Sequence, residues 1–182
     1  VKYSNSIGIK NDIIIKNKGQ NYFVTGRVFD ITKLINDIVE SDTKSNFIKN
    51  FDNLNSLIKI KIDKLFLDKN NFVNNLQGDI EINKNKITDL NLNSKYSKNE
   101  KLFVSIKTTN NKETITTLYS DRAAPFVKNY KFIKGFEEGV LDFQSIKKNN
   151  KSKSVLKIDN FKVKEVPILA KLLTLASLQG IA

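Results

Sequence analysis

The chain has 182 residues, 40% of them apolar and 27% charged, which suits one folded domain with a sizeable core. It contains no Cys and no His, so disulfides, thiolate or imidazole metal ligation, Cys nucleophiles and every Ser-His-Asp arrangement are excluded. The net charge of +12 comes from Lys, because among 31 basic residues only Arg27 and Arg122 are Arg, the side chain suited to bidentate phosphate and guanine contacts.

With heavy use of Asn and Ile beside it, this Lys excess reads as AT-rich codon usage at tolerant surface positions rather than as an evolved polyanion site. The same lysines are compatible with attraction to an anionic membrane surface. No stretch reads as a signal peptide, and the longest apolar run, Val166 to Leu178, is interrupted by Lys171 and falls short of the roughly 20 residues that cross a bilayer. The chain has no Met and opens at Val1-Lys2-Tyr3 in an already extended-looking pattern. It is therefore expected to be a single β-rich module over 1–182 and a fragment of a larger protein.

In chain order, the dominant signal is period-two alternation in short runs, the mark of half-buried strands. Tyr22, Val24 and Val28 alternate with Thr25 and Arg27. Ile31, Leu34, Ile35, Ile38 and Val39 then repeat at helical spacing behind Asp30, a good N-cap, which predicts a helix at about 31–42. Alternation resumes with Ile58, Ile60 and Ile62, and slips phase to Leu65 and Leu67, as a bulge would cause. It continues through Leu76, Ile80 and Ile82, then Leu90 and Leu92, then Leu102, Val104 and Ile106, then Ile115 or Leu118.

A short helix is expected around Asp121 to Val127, limited by Pro125. Gly135 to Gly139 lacks the dinucleotide fingerprint and reads as a turn entering a strand from Val140 to Ile146. Leu141 and Phe143, then Leu156 and Ile158, complete the series, with a second phase slip to Phe161 and Val163. Turn-rich stretches at 68–71, 83–86, 109–112 and 148–151 read as hairpin loops, where Asn tolerates left-handed backbone. Pro167 at a first helical position and Gly180 as a stop frame an apolar helix at about 167–178. Connections this short favour an antiparallel meander, so the expected fold is mainly β, a curled, groove-like sheet with about three short helices.

No spacing places two carboxylates on one site, so Glu137-Glu138, Asp12 and Asp159 read as solvated turn and edge residues. Aromatics interleave with Lys along several strands, but no cluster of adjacent strand aromatics suits base stacking, and core packing is the better reading. The C-terminal helix either plugs the end of the sheet or helps contain a ligand beside an apolar groove.

Over the last third the pattern is more specific. Tyr119-Ser120-Asp121-Arg122-Ala123-Ala124 is followed by Gly139-Val140-Leu141-Asp142-Phe143, by Leu156-Lys157-Ile158-Asp159-Asn160-Phe161, and by Val166-Pro167-Ile168-Leu169-Ala170-Lys171-Leu172-Leu173-Thr174-Leu175-Ala176-Ser177-Leu178-Gln179-Gly180-Ile181. This resembles the AsmA-like C-terminal region of YhdP-type bacterial envelope proteins, over residues 20 to 182. The adjacent glycine pair usual there is missing, since Phe136 follows Gly135.

The resemblance implies a non-enzymatic scaffold that binds or transports lipid, with no cofactor. Its β-groove carries phospholipid acyl chains between membranes, in a periplasmic protein anchored to the inner membrane through parts outside this chain. The expected groove lining is Ile58, Ile60, Ile62, Leu76, Ile80, Ile82, Leu90, Leu92, Leu102, Val104, Ile106, Leu141, Phe143, Leu156 and Ile158, and the common phase of Ile60, Ile62, Ile80, Ile82, Leu90, Leu92, Leu102, Val104 and Ile106 predicts that these nine share one concave face. Leu169, Leu172, Leu173, Leu175 and Ala176 form the expected groove-end helix. No specific nucleic acid is expected as a partner. The competing expectations are a basic sheet that binds nucleic acid and a structural β-protein with a dry core.

Overall fold

A computed structural model describes residues 2–4, 9–32, 55–127, 136–149 and 151–163. These form β1 (Lys2–Ser4), β2 (Lys10–Lys18), β3 (Asn21–Asp30), β4 (Ser56–Phe66), β5 (Phe72–Asn83), β6 (Lys86–Lys95), β7 (Lys101–Thr108), β8 (Glu113–Ser120), α1 (Ala124–Val127), β9 (Phe136–Lys148) and β10 (Lys151–Val163). The strands make one sheet whose spatial order follows chain order. Its outer strands β1 and β10 are not paired with each other, so the sheet is open.

The expected antiparallel meander needs one correction. β3 and β4 are parallel, with Val24 beside Ile60 and Phe29 beside Leu65, so the sheet is mixed. A parallel neighbour requires the chain to return to the end of the sheet where it began, which takes a dozen or more residues. The stretch between Asp30 and Ser56 is long enough for that return, whereas the connections from β4 through β8 and from β9 to β10 are short.

The count of about three helices is not matched. Among the described residues α1 is the one complete helix, a single turn behind Asp121. The predicted helix at 31–42 lies beyond Thr32 outside the described residues, as does the one at 167–178 with Leu169, Leu172, Leu173, Leu175 and Ala176. At the entry to the former, the Asp30 carboxylate accepts hydrogen bonds from the Thr32 N–H at 2.8 Å and the Thr32 hydroxyl at 2.6 Å, as an N-cap does.

The turns follow their residue types. Lys84 and Asn85 both have positive φ, 47° and 61°, between paired Asn83 and Lys86, as a two-residue type I′ hairpin requires. Asp68 accepts hydrogen bonds from the Asn70 and Asn71 N–H groups at 2.7 and 2.8 Å, an Asx turn that closes the β4–β5 loop.

Neither phase slip shifts the register of the strand pair in which it is read, but the first lies beside a bulge-type shift between β5 and β6. The β4–β5 register keeps step from Ile62 opposite Leu76 to Leu65 opposite Val73. The backbone instead twists at Asn75, φ 53°, and the register shift falls on the β5–β6 side between Asn74 and Gln77. The second slip likewise leaves the β9–β10 register in step, while Gly139 and Asn160 take positive φ of 86° and 54°. The strand predicted from Val140 thus begins at Phe136 and carries this irregularity within it.

The core lies along the end of the sheet that carries the 67–71 and 96–100 loops and α1. Ile62, Leu65, Leu67, Val73, Leu76, Tyr96 and Leu102 form one buried cluster. Ala123, Val127, Phe136 and Leu141 form a second, and Leu118 and Phe126 pack against both.

Candidate functional site

Directly paired residues on adjacent strands point to the same face of a sheet, so the registers convert the sequence into rows of side chains. The middle row runs Ile15, Val24, Ile60, Gly78, Leu92, Val104, Leu118, Phe143 and Leu156 across β2 to β10. No polar side chain interrupts it. At about 4.8 Å per strand it is roughly 40 Å long.

On the same face, nearer the loops, lie Ile13, Gly26, Ile62 and Leu76 on one side of the β5–β6 irregularity, and Ser94, Leu102, Ser120, Leu141 and Ile158 on the other. Nearer the turns runs the row Tyr22, Ile58, Ile80, Leu90, Ile106, Thr116, Ser145 and Ser154. Ile82 adjoins it, paired with Ser56 and Ile87. The registers therefore bring the fifteen apolar residues singled out in the sequence to one face. They also resolve Ile115 against Leu118: Leu118 is in the middle row, and Ile115, paired with Lys107 and Ile146, is on the opposite face.

This face is not uniform. Its loop-side row is buried apart from half-buried Gly26 and Ile158, with Ile62 only 2% exposed. The middle row is half-buried in the centre and open at both ends, where Ile15 is 54% and Leu156 55% exposed. The turn-side row loses its apolar character after Ile106, where Thr116, Ser145 and Ser154 follow; the Ser154 hydroxyl donates to Ser145 Oγ at 2.9 Å. α1, with Phe126, is the described helix packed on the face.

Gly78 occupies the middle row between Ile60 and Leu92. Its φ of 152° is rare for L side chains, and a Cβ there would run into the Asn91 carbonyl. The gap in the row is thus imposed by close approach of the β5 and β6 backbones.

At the loop end a polar cluster fixes the border of the face. The Tyr96 hydroxyl lies 2.9 Å from Ser120 Oγ, and Ser120 donates to the Arg122 carbonyl at 2.7 Å. Burial pushes the Tyr96 phenol up to about 12, against the smaller opposing effects of Ser120 and Arg122. Arg122 binds Glu100 through both arms of its guanidinium, at 3.1 and 2.6 Å, and this bond lowers the Glu100 pKa. The Tyr119 hydroxyl donates to Asp121 at 2.6 Å, which raises the Tyr119 pKa, and Asp121 also accepts from the Lys101 N–H at 2.8 Å. These contacts tie the Tyr119 to Arg122 stretch to the loop before β7. Nothing in them resembles an acid-base pair.

The opposite face is polar and mixed in charge. Phe103 lies there between Asn93 and Tyr119. The register sets Lys59 against Asp79, Lys107 against Asp89 and Lys157 against Asp142, so these lysines do not line up as an unbroken basic stripe. Two shallow depressions, of about 320 and 400 Å³, share Asp12 and Arg27 beside Lys61 and Asp63. The Arg27–Asp12 ion pair, at 2.6 Å, crosses both. Neither depression lies on the apolar face.

The expected lining left out three apolar members of the middle row, Ile15, Val24 and Leu118. Ile13-Ile14-Ile15 has no alternation to assign its face, and Ile115 competes with Leu118 at equal plausibility. Among the described residues no helix is long and apolar enough to cross a membrane.

The fold and this face together define a mainly β, open-sheet protein with one apolar and one polar surface. No family model, curated protein or solved structure matches the chain.

Proposed function

We propose that this chain is a non-enzymatic lipid-binding module, part of an envelope protein, whose apolar sheet face holds phospholipid acyl chains on their way between bacterial membranes. The observation that carries the reading is the middle row: apolar from β2 to β10, half-buried in its centre and open at Ile15 and Leu156. An acyl chain needs no polar partner, and burial on such a surface stabilises it by about 0.8 kcal/mol per CH₂. Five methylenes removed from water supply roughly 4 kcal/mol.

The polar border at Tyr96, Ser120 and Arg122 closes one side of the face, and Thr116, Ser145 and Ser154 form a hydroxyl-lined strip on the other side of β8 to β10. The resemblance to AsmA-like envelope proteins supports a periplasmic location and an anchor in the inner membrane supplied by the parent. The charge-paired lysines of the opposite face favour this reading over a nucleic-acid surface.

The test is lipid co-purification followed by photo-crosslinking. Phospholipid should be detected by native mass spectrometry on the purified protein. A crosslinker at Val104 should capture it, whereas one at Phe103 should not. Capture at Phe103 without capture at Val104 would invert the assignment of faces, and a protein free of lipid with no capture anywhere would favour a dry core.

A further inference from the structure

The two edges of the sheet differ. β1 has three residues, whereas β10 has 13, and every described side chain of β10 except Ile158 is exposed. Among the described residues no strand pairs with the outer side of β10, and such an edge presents a row of N–H and C=O groups that can accept another strand. The regular part of this edge ends at Asp159, because Asn160 turns to a φ of 54°.

The charges along the edge select a pairing. Lys153 and Asp159 face Ile146 and Val140 on β9, and neither makes an ion pair among the described residues. If two β10 strands pair antiparallel about a twofold axis at Leu156, Lys153 of each copy falls opposite Asp159 of the other, twice over. Leu156 then meets Leu156 on the apolar face. Moving the axis to Val155 sets Lys153 against Lys157, and moving it to Lys157 sets that lysine against itself; an axis at Ile158 would pair Lys157 with Asp159 but brings the bend at Asn160 opposite Leu156, leaving only three residues in regular pairing. Like charges directly opposite are destabilising and opposite ones stabilising, so one register is favoured.

We infer that the β10 edge is a self-association site, through which two copies of this chain pair antiparallel about Leu156. The pairing joins the two sheets edge to edge and makes the apolar row continuous from one copy into the next, through Phe143, Leu156, and the same residues of the second copy. It stands independently of what that row binds.

The chain's lack of Cys makes the test direct. Leu156→Cys should form a disulfide-linked dimer under mild oxidation, because facing residues have Cβ atoms only about 5 Å apart. Ile146→Cys, on the neighbouring strand and also exposed, should remain monomeric. By sedimentation, Lys153→Glu should weaken dimerisation roughly tenfold, the effect of two pairs turned from attraction to repulsion. The double variant Lys153→Glu, Asp159→Lys should restore it. A monomeric Leu156→Cys, equal crosslinking at Ile146→Cys, or a double variant no better than the single one would each overturn the pairing.

Discussion

The two ends of the strands behave differently, although the same alternation runs through both. In β9, Phe136 and Leu141 are buried under Ala123 and Val127, while from Gln144 to Lys148 the strand is largely exposed. β2 repeats the contrast, buried at Asn11 and Ile13 and exposed from Ile14 onward. Alternation thus decides which face a residue joins. Whether that face is covered depends on what lies over it: in β2 and β9 the cover is at the loop end, whereas in β4 to β6 it also reaches the turn side, where Ser56, Ile82 and Leu90 are buried.

This contrast is sharpened by substitutions at matched apolar positions. Ile62→Ala, at the covered end, should cost about 3 kcal/mol in chemical denaturation, through lost transfer energy and a cavity. Gly78→Ala should follow at about 2 kcal/mol, since the new methyl meets the Asn91 carbonyl and the backbone cannot relax to a φ that L residues favour. Equal stability of the Gly78→Ala variant and the parent would refute the close approach of β5 and β6.

Tyr96→Phe should cost about 1 kcal/mol near neutral pH, the usual value of one buried hydrogen bond. Its pH dependence is more telling. With the phenol raised from its ordinary 10.0 to about 12 in the folded protein, the unfolded chain loses this proton first as pH rises. Stability from this group is therefore complete below pH 10 and falls between 10 and about 12. The parent should lose stability across that window more steeply than the Phe variant, and parallel curves would remove Tyr96 from the account. The smallest effect belongs to the open end of the row: Leu156→Ala should change monomer stability by less than about 0.5 kcal/mol, because its side chain is already largely in water.

Much of this was legible in the sequence. The phase of Ile58, Ile60 and Ile62 against Ile80 and Ile82, and of Leu90 and Leu92 against Val104 and Ile106, assigned these residues to a common face, because the period of a strand is two and the turns between them are short. Asp30 announced its cap, and the Asn-rich turns announced themselves. The parallel β3–β4 pair was not legible, because alternation carries no strand direction. The phase slips at Leu65 and Phe161 were visible, but their cause was not. A left-handed residue such as Asn75 or Asn160 and an inserted residue leave the same mark in a hydrophobic pattern. The hydroxyl-rich strip formed by Thr116, Ser145 and Ser154 was overlooked because it lies in strands read only through their apolar members.

The most direct test of the central claim uses two neighbours that differ only in the face they occupy. Ile15 and Ile14 are 54% and 51% exposed, one in the apolar row and the other on the polar face beside Thr25. Both lie on β2, at the opposite side of the sheet from β10. With a photo-crosslinking residue at each position in turn, and phospholipid supplied in mixed micelles, the account predicts lipid adducts by mass spectrometry at position 15 and almost none at 14. Equal adducts at both positions, or adducts at 14 alone, would contradict it.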